Sequence, residues 1–537
     1  MYISAIGRLF GRPATPAASD DGLRQAAALL ALLALAQVFL WSSAFGLTYS
    51  SPEIDSAEQF IWAFSLENGY WKHPPLPSWI MHGLLQVFGA SVVLPFAATQ
   101  LCIVVALALT WRLACEFMSP NRALIATLLT SLVTYHNIGG DAFNHNTVLL
   151  PFQAAAVLCF HFAARRPGWW RWGLVGLFAG LAMLVKYVAL LPLAGLLLYL
   201  LLDRRMHCRR TLIGLLIAGA VFALVLLPHV IWLGRTDFLP FRYARSVTHA
   251  LPGAAAIVRS LADFLLMQFL RLLPFLIGAA IVLRSARRFH AARASTEPPA
   301  HAAVGPLAAP DRLFLWIITL SPLLMTVAYG LASRAELQTR WGANCFLTVG
   351  VLLMATSRSI DSKSVLQRTV QVVAVGQLVL CLGLTLGKTV LANHLGHRTR
   401  ANFPGAVLAQ MSQQTWRNHT DVPLRLVVSD IWLGGNLIAN SSRRLAVLID
   451  GKHFKSPWVN QEAIADCGAL ILDDVTPDKA GHAAPNPELE ALLERADASG
   501  TWTLPWARPE RAPVGSHRGS VRWGVIKPIT SGQCTLR

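Results

Sequence analysis

Between residues 26 and 391 the chain repeats one pattern, an apolar run followed by a polar turn. About eleven of these runs approach the roughly 20 residues that a helix needs to cross the hydrocarbon core of a bilayer. They lie near 26–48, 91–115, 122–139, 146–164, 171–185, 187–202, 211–233, 260–283, 313–332, 342–357 and 369–391. Lipid offers a backbone amide no hydrogen-bond partner, so each run must form a helix that satisfies its own amides. The pattern predicts a polytopic all-α membrane protein with about 11 transmembrane helices. The pair 171–185 and 187–202 is short, is split by "VKYV", and also fits a single apolar hairpin. Only 14% of the chain is charged. A soluble domain averages about a quarter, so a soluble globule is excluded.

The formal charge is +18. No aromatic-basic recognition motif accompanies it, and no nucleic-acid partner is expected. The basic residues instead fall in alternate loops: Arg112 and Arg122; Arg165, Arg166 and Arg171; Arg204, Arg205, Arg209 and Arg210; Arg284, Arg287, Arg288 and Arg293; Arg358, Lys363 and Arg368. Cytoplasmic loops carry such an excess. Residues 1–25, with Arg8, Arg12 and Arg24, are then a cytoplasmic N-terminus, and 26–48 reads as an uncleaved first helix. The loops 49–90, 139–146, 186–187, 234–259 and 333–341 face the other side, as does the C-terminus. The Ala-, Pro- and Arg-rich stretch 284–312 reads as a flexible cytoplasmic linker between spans of a domain covering 26–392.

From about residue 393 the composition turns polar. "LRLVVSD", "RLAVLID" and "ALILDD" read as short buried strands, with "IWLGGNLIANSS" and "NQEAIADCG" as helices between them. That alternation predicts a small extracytoplasmic α/β domain over 393–537 with a mostly parallel sheet. Of the eight Cys, six lie in or beside apolar runs and read as small core residues. Cys467 and Cys534 lie in the polar part and are able to pair if it is outside the cytoplasm.

The outward loops hold the chemistry. "EIDSAEQFIWAFSLENGYWKHPPLPSW" (53–79) places Asp55 and Glu58 just after the first span. A carboxylate beside the bilayer is costly unless it is paired, hydrated or used. The plain alternative is a helix start capped by Ser51 or Asp55. Pro74, Pro75 and Pro77 stiffen the chain, so that Lys72 and His73 project cations where a lipid phosphate lies. Tyr70, Trp71 and Trp79 suit the interface, and Trp with Lys is also an ordinary interfacial anchor. The loop "YHNIGGDAFNHNTVL" offers His136, Asp141 and His145. This cluster is open to three readings: contact with a sugar or acceptor, capping of the next helix by Asn144 or Asn146, or, behind these, a divalent metal cation. Lys186 and Tyr187 turn a hairpin, where Lys186 either snorkels or binds phosphate. Arg242, Tyr243, Arg245 and His249 follow in 235–249. Arg334, Glu336 and Arg340 sit outside against the positive-inside trend, which asks for an anionic partner or for pairing with Glu336.

The segment 55–79 resembles the first outer loop of the GT-C glycosyltransferases, of the protein O-mannosyltransferase and aminoarabinose-transferase (ArnT-like) type found in bacteria. The pattern is an acidic pair, then an aromatic-rich helix, then G-Y-x-x-x-P-P-L-x-x-W. "RAELQTRWG" is similar to an outer-loop R-W segment of bacterial members. The resemblance covers 25–390 in layout and implies an integral enzyme of the inner membrane. It would move a sugar from a polyprenyl-phosphate donor to a periplasmic acceptor: lipid A or lipopolysaccharide core, another glycan, or a protein. Asp55 inherits the role of general base. Lys72, Lys186 and Arg340 match phosphate-binding positions, with Arg242 and Arg245 behind them. Asp141 matches the acid of the second outer loop. Glu58, Tyr70, His73, His145 and Tyr187 complete the expected sugar and acceptor contacts. Many relatives have an adjacent acidic pair, whereas here Ser56 follows Asp55. With one base and no nucleophile partner, transfer is expected to invert the anomeric centre. The rival readings are a transporter or flippase of lipid-linked sugars and a non-catalytic assembly subunit.

Overall fold

The computed structural model describes residues 20–166, 168–247, 250–294, 307–357, 363–395, 398–476, 486–506, 518–529, 534 and 536. The start of the N-terminal segment (1–19), His249, Arg358 and most of the expected linker (295–306) lie outside the described residues.

The helices are α1 (Asp20–Thr48), α2 (Ile54–Trp62), α3 (Leu76–Phe88), α4 (Leu94–Ala114), α5 (Pro120–Thr130), α6 (His145–Arg165), α7 (Trp169–Val185), α8 (Leu190–Leu202), α9 (Arg209–Arg235), α10 (Leu239–Val247), α11 (Ala254–Ala294), α12 (Ala309–Ser333), α13 (Val349–Thr356) and α14 (Lys363–Thr385). Among the described residues seven helices are long and apolar enough to cross a membrane: α1, α4, α6, α9, α11, α12 and the helix that starts at Lys363. The runs 171–185 and 187–202 form two shorter apolar helices, α7 and α8, hinged at Lys186. The runs near 122–139 and 342–357 are shorter than their apolar length suggests. Helix α5 stops at Thr130 and gives way to a 3-10 turn, and a 3-10 turn at Thr339–Asn344 precedes α13. The described ends of the 284–312 segment are helical, continuing α11 to Ala294 and opening α12 at Ala309.

The chain divides into two compact units. The first comprises 1–40, 100–140 and 145–381. Its core is built on Leu124, Ile125, Phe160, Trp172, Phe314 and Val351, all fully or almost fully buried. Small residues bring its helices close. A Cβ on Gly176 of α7 would stand 2.2 Å from the Ala218 carbonyl oxygen of α9. The basic loops expected on the cytoplasmic side prove to be tied: buried Glu116 pairs with Arg112 at 2.8 Å and with Arg166 at 3.0 Å.

The second unit comprises 41–99, 141–144 and 382–537. It contains α15 (Gly405–His419), β1 (Leu426–Ser429), α16 (Ile431–Ala439), β2 (Ala446–Ile449), α17 (Ala463–Cys467), β3 (Ala469–Asp474), α18 (Pro487–Glu494), β4 (Ala498–Pro505) and β5 (Arg518–Ile526). The sheet order is β2-β1-β3-β5-β4. Strands β1, β2 and β3 run parallel, with Val428 opposite both Leu448 and Ile471. β5 is antiparallel to β3 and to β4, with Leu472 opposite Trp523. The sheet is therefore mixed, where the sequence predicted mostly parallel. The three parallel strands are continuous apolar runs and are recognised as such. β4 and β5 carry Gly, Ser, Thr and Arg, and β4 is half exposed, so neither gives that signal. Cys467 and Cys534 form a disulfide.

Candidate active site

The site in the second unit starts from a helical repeat. Trp41, Phe45 and Tyr49 fall one turn apart, and Phe96 packs on both Phe45 and Tyr49, with ring centroids 5.4 Å apart in each pair. This fixes the Tyr49 hydroxyl, which donates to Asp141 at 2.9 Å and accepts from the Lys388 ammonium at 2.7 Å. Lys388 also lies 3.8 Å from Glu53 and 4.0 Å from Asp141. It projects from a π-helical stretch, Leu386–Leu391, that continues α14. Such stretches recur at functional positions.

Glu53 is the N-cap residue of α2 and makes no side-chain cap bond. Neither Ser51 nor Asp55 caps the helix. The Ser51 hydroxyl donates to the Phe403 carbonyl at 3.0 Å, and Asp55 is already in the first turn. The Asp55 carboxylate, half-buried, accepts from the Asn144 amide at 3.2 Å. Ser56, where the resemblance places a second acid, is fully buried and accepts from the Phe143 amide at 2.8 Å. A carboxylate would not suit that position, because ordinary carboxylates ionise near pH 4 and burial opposes the charge. Residues 141–144 are thus held against the start of α2 by Tyr49, Asp55 and Ser56.

One turn further, Glu58 is 5% exposed and meets Lys72 at 2.7 Å. Burial raises the Glu58 carboxyl to about 7 despite that ammonium. Burial likewise raises Glu53, reinforced by Asp141 and opposed by Lys388 and Arg400. Lys72 lies over the Trp71 ring at 4.6 Å, and Lys455 of the C-terminal region lies at 4.5 Å from the same ring. Asp55 therefore stands between two ion clusters, Glu53/Asp141/Lys388 and Glu58/Lys72.

Tyr70 is a strut. It is 2% exposed, stacks on Trp62 at 4.8 Å, and directs its hydroxyl at the carbonyls of Trp62 and Ser65. His73 closes the same turn through paired backbone bonds with Tyr70. Pro75 precedes α3 and Pro77 lies in its first turn, so the Pro-rich corner launches that helix.

The remaining candidates lie in the first unit. His136 is buried, with Nδ1 against the Thr130 carbonyl at 2.8 Å and its own carbonyl accepting from Gln37. His145 is buried at the start of α6. Among the described residues no group of three His, Cys, Asp or Glu side chains is arranged to hold a metal ion. Lys186 donates to Asn146 at 2.6 Å. Tyr187 bonds His229 at 2.9 Å and stacks on Phe241 at 4.9 Å, which brings the Lys186 turn beside α10 and its exposed Arg242 and Arg245. Arg334, Glu336 and Arg340 are exposed.

Sequence reasoning passed over Tyr49, Glu53, Lys388 and Lys455. A signal existed for Lys388, a lone cation near the C-terminal end of the last apolar run, the end expected to face outward. The rule that drew attention to Arg340 applies equally to it.

The profile of the dolichyl-phosphate-mannose-protein mannosyltransferase family matches residues 72–232. The lipopolysaccharide core galacturonosyltransferase RgtA of Rhizobium johnstonii is 25% identical over 439 residues, 79% of this chain and 82% of that one. The lipid A galacturonosyltransferase RgtD of the same organism is 26% identical over 199 residues, 36% of this chain and 41% of that one. The crystal structure of ArnT from Cupriavidus metallidurans bound to undecaprenyl phosphate superposes with a TM-score of 0.59 at 13% identity, covering 94% of this chain and 99% of that one. With its apolar helices and its appended sheet, the chain has an ArnT-like fold of the GT-C type, and its sequence is similar to these glycosyltransferases.

Proposed function

We propose that the protein transfers a uronic acid from a polyprenyl phosphate to a hydroxyl of lipid A or of the lipopolysaccharide core, on the periplasmic side of the inner membrane. The observation that carries this reading is the placement of Asp55: a half-buried carboxylate oriented by Asn144 and flanked by Lys388 and Lys72 in their ion clusters. Support for the acceptor and the sugar comes from the names of the relatives, and support for the donor from the lipid in the ArnT structure. The disulfide and the alternation of basic loops support the periplasmic assignment.

In this mechanism Asp55 takes the proton from the acceptor hydroxyl as its oxygen attacks the anomeric carbon. The bond from that carbon to the phosphate oxygen breaks, and the prenyl phosphate leaves with the electron pair. Lys72, paired with Glu58 in the same unit as Asp55, is the first candidate for the developing phosphate charge, with Lys186, Arg340, Arg242 and Arg245 as the further candidates. Glu58 orients Lys72. Attack from the side opposite the leaving group inverts the centre.

The test is Asp55→Asn in a strain lacking the native gene. Mass spectrometry of lipid A and core should show loss of the added sugar, while the variant keeps its melting temperature and its binding of prenyl phosphate. A glycolipid profile identical with and without the gene overturns the reading.

A further inference from the structure

The C-terminal region contains a cavity of about 490 Å³ that has no part in the site above. It is walled by α15, the segment 420–424, α16 and the segment 441–445 that leads into β2. Its volume is that of a small-molecule site, which typically spans about 300–1,000 Å³. Three features define its chemistry. Arg417 and Arg443 line it and are exposed, two guanidinium groups that form paired hydrogen bonds with carboxylate or phosphate. The exposed carboxylate of Asp421 accepts hydrogen bonds from hydroxyls. Ser412 lines the wall at 1% exposure, and its hydroxyl oxygen has no hydrogen-bond partner among the described residues. A buried hydroxyl left without a partner is destabilising, and a hydroxylated ligand would relieve that cost. Trp416 supplies a rigid wall, its indole N–H committed to the Val422 carbonyl at 2.7 Å.

Two guanidiniums, one carboxylate and an unmet hydroxyl suit an anionic saccharide better than an apolar ligand or a neutral sugar. We propose that this cavity is a binding subsite for an anionic oligosaccharide, holding the charged sugars of a glycan acceptor through Arg417 and Arg443. Helix α16 lies between the two sites: Leu437 faces the cavity, while Gly435 meets Ala57 of α2, two residues from Asp55. The acceptor role rests on the function proposed above, whereas the binding itself does not.

Hydrogen–deuterium exchange on the full-length protein in detergent tests the subsite, with a galacturonic-acid trimer as the probe and a neutral galactose trimer as the control. The acidic trimer should protect 409–424 and 437–445, and the neutral trimer should not. Arg417→Gln with Arg443→Gln should weaken the apparent affinity for the acidic trimer by about tenfold or more, the loss of a charged hydrogen bond. Both side chains are exposed, and an unchanged melting temperature verifies folding. The Asp55→Asn variant should keep the protection even if transfer proves to need another base, which separates this inference from the mechanism. Absence of protection in the wild-type protein, or equal protection by both trimers, overturns the subsite, as does an undiminished affinity in the folded double variant.

Discussion

Glu58 illustrates how a single residue near the membrane surface can be read from opposing forces. The Lys72 ammonium at 2.7 Å favours the carboxylate, and burial favours the neutral acid. Burial wins, and the group is held at about 7. The folded protein therefore retains a proton that the unfolded chain releases near its ordinary value, about 4.3. Stability from this group is fully present below the unfolded value and is lost as pH rises through about 7. Thermal melting in detergent should show the wild-type midpoint falling between pH 5 and pH 8 more steeply than that of Glu58→Gln. Parallel slopes would refute the assignment. Asp55 could be proposed from the sequence because its neighbours formed a motif. Glu53 and Tyr49 could not, since their meaning depends on Lys388, more than 300 positions away in the chain.

At the scale of elements, α2 owes its position to what it rests on. A Cβ on Gly435 of α16 would stand 2.4 Å from the Ala57 Cβ and 2.6 Å from the Ala57 carbonyl oxygen. Both distances are far inside van der Waals contact, and the second obstacle is backbone, so α2 must shift to admit a methyl group. Displacing a catalytic group by about 1 Å can cost on the order of 100-fold in rate. Gly435→Ala should lower kcat by at least about tenfold, with a modest stability loss of about 1–3 kcal/mol from overpacking. Gly219→Ala, with open space around it, is the control. Equal kcat in the two variants would show that the seam does not position the helix. Arg444 adds a second tie, donating to the Phe64 carbonyl and lying over the Phe64 ring at 4.4 Å. The sequence offered α2 as a helix start with acids. It did not indicate that a helix near residue 435 would be its seat.

For the whole molecule, the proposed membrane orientation makes a prediction about thiols. Cys208 is exposed in a loop assigned to the cytoplasm, and Cys467 and Cys534 are joined in the region assigned to the periplasm. A membrane-impermeant maleimide should spare Cys208 in intact spheroplasts and label it in inverted vesicles. Cys467 and Cys534 should react in spheroplasts only after reduction. Labelling of Cys208 from the outside would invert the topology and remove Asp55 from the periplasm.

The sequence by itself determined the class of molecule. A serial apolar pattern leaves the backbone only helices, and alternating charge favours the orientation proposed here. Local signals also located the three parallel strands and the disulfide pair, because apolar runs and Cys content act over a few residues. The tertiary structure alone decided which charges meet: Lys388 with Glu53 and Asp141, Lys72 with a buried Glu58, Asn144 with Asp55. It also decided that β5 joins the sheet antiparallel and that α16 supports α2. Electrostatic and packing partners are chosen by distance in space and by local burial, and a linear pattern encodes neither.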